Sequence, residues 1–260
     1  MRKTWTTLLD GWWNYSKTVG WTNRPRQVVD GHMLTSSTAV KYAHRDHVRA
    51  HGHGQREFTF GELRWFSDNA YNCAVTNTQS WNPRDVSRLF EAALAFLQLF
   101  PDDIGQRDAD TAAVQCLRCR FGAAACLVAM ARARDRIDMR IEEYQAVRRH
   151  ADGFNRVFER SEQRLEQARI EDLTTKLASL LVWDFEAAVA LGQWNDLGEI
   201  VRRTKACRSA GALKEMADCV VYCRETAPQG ELGTHINIYI LTTDSRLLDP
   251  HNDHQRDLAD

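Results

Sequence analysis

Four groups of residues have types and spacings that could do chemistry. His44, His47, His51 and His53 are spaced as zinc ligands can be. They have no cysteine partners and sit beside Arg45 and Arg49, so the bland expectation is a solvated, His-rich segment. Cys116 and Cys119 form a C-x-x-C, but a redox pair needs an exposed thiolate at a helix N-terminus, and this pair falls mid-helix. Cys219 and Cys223 are spaced i, i+4 on another apolar helix, and packing is the expected role of all four thiols. Arginine is dense between Arg118 and Arg149. These arginines could form a basic face for nucleic acid, but Asp135, Asp138, Glu142 and Glu143 are interleaved there, as on a solvated helix laced by i, i+4 ion pairs. The fourth group is Trp194-Asn195. Either the indole packs an inter-helix turn while Asn195 caps the next helix, or the pair docks a partner, since Trp is enriched at interface hot spots.

No glycine-rich phosphate loop, G-x-S-x-G or H-E-x-x-H occurs in the sequence. The expectation is a binding module, not an enzyme, with no cofactor and no resident metal. The formal net charge is -1, from 34 basic and 35 acidic side chains, and gives no global drive towards nucleic acid or membranes. Direct nucleic-acid and membrane binding are therefore not expected. Seven cysteines, an odd number mostly within apolar helical runs, fit buried thiols in a reducing compartment, cytoplasm or nucleus. No run approaches ~18 uninterrupted apolar residues, and the start, MRKTWTTLLDGWW, lacks the apolar stretch of a signal peptide.

The elements that would position these groups are helical. Residues 1–57 show no sustained period and read as mostly loop or disordered, although the pattern allows a short helix over Thr38–Arg49. From 58 to 228 apolar residues recur at helical spacing. Leu63, Phe66, Ala70, Cys73 and Asn77 form one stripe. Asn82 as N-cap and Pro83 at the first helical position open a second, with Val86, Leu89, Phe90, Ala93, Leu97 and Phe100. The next helix, capped by Asp110 or Thr111 and running to about Arg134, carries Val114, Leu117, Phe121, Ala124, Val128 and Ala131 on one face. Its partner carries Ile141, Tyr144, Val147, Ala151, Phe154 and Phe158. A polar bridge, SEQRLEQARIED, leads to a third pair, from about Leu173 to Leu191 and from Asn195 to Cys207. A break at Ser209–Gly211 precedes a last helix with Leu213, Met216, Ala217, Val220 and Val221. In residues 229–260, HINIYILTT alternates like a strand, with Ile236, Ile238 and Ile240 on one face, and the rest reads as an irregular polar tail.

Gly192-Gln193-Trp194-Asn195-Asp196-Leu197 has the Gly-x-aromatic form that joins the two helices of a tetratricopeptide (TPR) repeat. With Gly192 at the turn, Leu181, Phe185, Ala188, Leu197 and Val201 take the packing positions. The expected fold is all-α: a TPR-like α-solenoid of stacked antiparallel helix pairs, with poorly ordered termini.

Two stretches resemble a known family. LRWFSDNAYN, the W-N-P helix that follows it and its Phe100-Pro101-Asp102-Asp103 end, together with VWDFEAAVALGQWNDLGEIV and KEMADCVV, resemble the fungal meiosis and sporulation scaffolds known as Zip-four or Spo-twenty-two. The resemblance covers roughly Glu62 to Ala227 and matches the C-terminal portion of longer proteins, so a truncated member is expected. It implies a nuclear, chromosome-associated hub that gathers meiotic crossover and synapsis proteins and links them to synaptonemal complex assembly. It also implies that an aromatic-asparagine pair docks a partner, and Trp194-Asn195 is the matching position. The alternatives are a helical-repeat adaptor with no meiotic role and a metal-binding protein using the His cluster.

Overall fold

The computed structural model describes residues 58–134 and 140–223, the last three as backbone only. The His cluster, the short helix allowed over Thr38–Arg49 and the strand expected around Ile236–Ile240 lie outside the described residues. Among the described residues there is no strand, and seven α-helices follow one another: α1 (Phe60–Asn77), α2 (Pro83–Leu97), α3 (Gln106–Arg132), α4 (Ile141–Ser161), α5 (Gln167–Ala190), α6 (Leu197–Ala206) and α7 (Ala210–Cys223). Two compact units divide between Asp108 and Ala109, in the first turn of α3.

In the first unit α1 and α2 pack as a hairpin. Thr59 starts α1 with a capping box: its hydroxyl accepts from the Glu62 N–H, and the Glu62 carboxylate accepts from the Thr59 N–H at 2.9 Å. Asn82 caps α2 by accepting from the Arg84 N–H at 2.9 Å, with Pro83 at the first position, as expected. The seam is aromatic. Phe66 stacks on Phe96 with centroids 5.1 Å apart, and Phe58 and Trp65 meet Phe66 edge-on at 5.5 and 5.2 Å. Ser67, buried in the seam, donates to the Ala93 carbonyl at 3.2 Å. Leu63, Ala70, Val86, Leu89, Phe90 and Ala93 are buried as the periodicity requires.

The second unit is organised on α5, which packs along α4, α6 and α7. Its core joins Leu117 and Ala124 of α3, Ala151, Phe154 and Phe158 of α4, most of the inner face of α5, and Ile200, Val201, Met216 and Val220 of α6 and α7. All five residues placed on packing positions around Gly192 are buried. Ile141, expected in the core, is instead 39% exposed, because it opens α4 ahead of the first residues that meet α5.

Several boundaries move. α3 begins at Gln106, ahead of the expected cap at Asp110 or Thr111. The polar bridge is not continuous helix: a 3-10 turn, Glu162–Arg164, leads to extended Leu165 and Glu166 before α5 starts. The break before α7 spans Cys207–Ser209, with Gly211 already helical, and the Ser209 hydroxyl accepts from the Ala212 N–H at 3.3 Å. Helix pairs start at Phe60, Gln106 and Gln167, a wider spacing than the ~34 residues of an ordinary TPR.

By length and composition one described helix, α3, is long and apolar enough to cross a membrane. Its Leu117, Cys119, Ala123 and Ala124 are fully buried against the protein, and a core helix passes the same test.

Candidate protein-docking site

The turn between α5 and α6 holds the one pair of residues expected to dock a partner. α5 ends in a Schellman motif: the Gln193 N–H donates to the Ala188 carbonyl at 2.8 Å and the Gly192 N–H to the Val189 carbonyl at 3.1 Å. Gly192 has φ of +68°, a left-handed conformation that a Cβ would strain. The chain then makes a 3-10 turn over Trp194–Asp196 before α6 begins. The Trp194 indole folds back over this turn, and its Nε1 would lie 3.8 Å from a Cβ built on Gly192.

Trp194 is half-buried and packs against the main core of the second unit. The packing reading of the indole is therefore realised, and part of its surface still faces solvent. Asn195 is exposed, and among the described residues none hydrogen-bonds its side chain. The expected Asn195 cap does not form. The 3-10 turn moves the start of α6 to Leu197, so Asp196 takes the N-cap position, and its carboxylate turns away from the helix N–H groups.

That carboxylate goes to Arg148, a residue that spacing alone did not single out. From α4, Arg148 Nε donates to Asp184 Oδ1 on α5 at 3.0 Å, and its Nη1 donates to Asp196 Oδ2 at 2.8 Å and to the Gln193 side-chain oxygen. One guanidinium thus grips α5 and both flanks of Trp194-Asn195. A rigid fork with five donors suits this arrangement. Asp184 is buried, and burial raises its pKa despite the Arg148 pairing that lowers it.

A second clasp lies one turn earlier on α4. The Tyr144 hydroxyl donates to Glu186 Oε1 at 2.9 Å, and Arg132 of α3 pairs with the same carboxylate at 2.5 Å. Burial, then the Glu186 charge, raises the Tyr144 pKa, so the phenol stays protonated and donating. On the outer face of α6, hydrogen bonds from Arg202 and Arg203 hold the Glu199 carboxyl down to about 2. The arginines of the middle region therefore differ from expectation. Arg132, Arg134 and Arg148 pair across helices or across the loop, not at i, i+4 along one surface, and Asp135 and Asp138 lie outside the described residues.

The cysteines sit as packing groups. Cys119 is fully buried, Cys116 and Cys219 are half-buried, and burial raises the Cys116 pKa. Cys73 and Cys126 are pushed up to about 11 by burial, which keeps them as unreactive thiols at neutral pH. Among the described residues no group of three or more His, Cys, Asp or Glu is arranged to hold a metal ion. No family model, no curated protein and no solved structure matches the chain.

Proposed function

We propose that this chain is a non-catalytic protein-interaction scaffold whose helices form a TPR-like stack, and that it serves meiotic recombination. In this reading it binds crossover and synapsis proteins on chromosomes in the nucleus and connects them to synaptonemal complex assembly. The observation that carries the docking part is the Trp194-Asn195 turn. Its backbone is fixed by the Schellman motif, its flanks by Arg148, and it presents an exposed amide beside a partly exposed indole. Pre-ordering of this kind lowers the entropy lost when a partner binds. The meiotic part rests on the sequence resemblance over Glu62–Ala227. The TPR-like part rests on the Gly192 turn and the buried Leu181, Phe185, Ala188, Leu197 and Val201 around it.

The test is capture from meiotic extract by the full chain, beside a Trp194→Ala/Asn195→Ala variant of equal helicity by circular dichroism. Crossover or synaptonemal proteins on the wild type, lost by at least tenfold on the variant, are the expected result; that ratio corresponds to about 1.4 kcal/mol of binding. Equal capture by both chains removes the pair from the docking surface. Capture of neither protein class overturns the meiotic assignment.

A further inference from the structure

A second cluster of polar groups lies between α3 and α4. Arg120 of α3 reaches onto α4 at Gly153, and a Cβ on that glycine would stand 2.5 Å from Arg120 Cζ. The guanidinium therefore occupies the space a side chain at 153 would need, and Gly153 permits the approach. Arg120 Nε is buried without a hydrogen-bond partner. One turn before Gly153 on α4, His150 is only 8% exposed, and its Nδ1 is likewise buried and unbonded. Cys116, one turn before Arg120, stands within hydrogen-bonding reach of the guanidinium.

This cluster is out of balance. Among the described residues no carboxylate pairs with Arg120. The neighbouring Asp152 is committed to Arg156 at 3.0 Å, and Glu159 accepts from Asn155 at 2.7 Å. His150 brings no charge of its own at neutral pH, since burial, then Arg120 and Arg149, push it down to about 4. The Cys116 thiol is held protonated by burial. The Arg120 charge thus has no carboxylate partner among the described residues, and a buried, unbonded nitrogen lies on each side of the helix interface. A buried polar atom left without a partner calls for an explanation, and a bound group that satisfies it is one.

We propose that Arg120 and His150 form a binding site for a single carboxylate. The guanidinium fork takes the two oxygens, and His150, with its proton on Nδ1, supplies a further donor. A carboxylate presents two coplanar oxygens at the spacing of the guanidinium's paired N–H groups. The carboxylate comes either from a small acid or from an acidic side chain of a polypeptide.

The experiment titrates the full chain with sodium acetate, and separately with a capped tripeptide bearing a central Glu. Sodium chloride and sodium phosphate at matched ionic strength are the controls. The readouts are the melting temperature and the His150 imidazole resonances. A saturable upward shift of the Tm, with His150 resonances moving at the same midpoint, is expected for acetate, for the peptide or for both; the arm that responds identifies the source. Arg120→Gln removes both responses. Arg120→Lys keeps the charge but loses the fork, and weakens them. Gly153→Ala, which puts a methyl group where the guanidinium lies, also removes them while leaving the helix intact. Chloride-like behaviour in both carboxylate arms overturns the proposal, as does an undiminished response in folded Arg120→Gln. A response to phosphate alone overturns the carboxylate assignment.

Discussion

The α1–α2 seam and the α4–α5 seam join antiparallel helices by different means. The first is made of rings: Phe66 on Phe96, with Phe58 and Trp65 at the edges of Phe66. The second has an apolar layer of Phe154, Phe158, Leu177 and Phe185, but carries charged clasps at the end nearest the Gly192 turn, Arg148 on Asp184 and Tyr144 on Glu186. Ring contacts are apolar, and their strength hardly depends on salt or pH. A buried ion pair adds little net stability, since the desolvation of both charges offsets their attraction, but a wrong register leaves a charge stranded. The α4–α5 seam thus marks its register with charge, where the α1–α2 seam has the neutral Ser67–Ala93 hydrogen bond, and it is the seam that supports the candidate docking turn.

The largest effect expected in testing this contrast comes from the aromatic seam. Phe96→Ala, at a residue 1% exposed, costs about 3–5 kcal/mol in urea unfolding. That loss stays the same from low to high salt; a strong salt dependence would break the distinction drawn here. Arg148→Ala comes next, at about 3 kcal/mol, because it leaves the buried Asp184 without its partner. If the loss is due to a stranded carboxylate, adding Asp184→Asn to Arg148→Ala restores much of it. A double variant as unstable as the single one would mean that Arg148 acts through packing alone.

The contrast extends to acid. His150 is neutral in the folded second unit, with its pKa lowered to about 4 by burial and by Arg120 and Arg149. The unfolded chain binds that proton near the ordinary His value of about 6.5, so the unfolded state holds more protons between the two. Stability from this group is complete above pH 6.5 and falls as pH drops towards 4, by about 3 kcal/mol at most. Unfolding free energies measured from pH 7 to 4 should show this loss, and His150→Gln should flatten the upper part of the curve. An unchanged slope in the variant would assign the acid sensitivity to the carboxylates instead.

The smallest effect sharpens the role of the turns. Gly192 and Arg208 both leave a helix with positive φ, +68° and 52°. The glycine does so without strain, while the arginine carries a Cβ into the left-handed region. Arg208→Gly is expected to stabilise the protein by about 0.5–1 kcal/mol, seen as a higher Tm. A lower Tm would show that contacts of the Arg208 side chain outweigh its backbone strain.

What the sequence made legible is local. Helical periodicity found the buried faces, Asn82-Pro83 announced the start of α2, and Gly192 announced the turn between α5 and α6, each through an interaction spanning a few residues. Thr59-x-x-Glu62 was equally readable as a capping box and marks the start of α1. The clasp was not readable. Arg148 meets partners 36 and 48 positions away, and a charged residue among many arginines carries no sign of which carboxylate it will face. The Asn195 cap was misplaced because a 3-10 turn over Trp194–Asp196 moves the start of α6 to Leu197. The unpaired Arg120 has a faint local signature in Gly153, a glycine in the middle of an otherwise good helix, which signals close approach by something from outside.

The Arg148 clasp also determines how the molecule would carry a load. A partner pulling on the Trp194 turn applies force to the short connection between α5 and α6, which turns at Gly192. With Asp196 and Gln193 tied to α4, tension bypasses the glycine and spreads as shear along the α4–α5 seam, where many contacts must yield together. Stretched between two anchors, α6 would be held by the guanidinium at its start and by the buried Leu197, Ile200 and Val201 along its length, so Arg148 is the link that takes the load first.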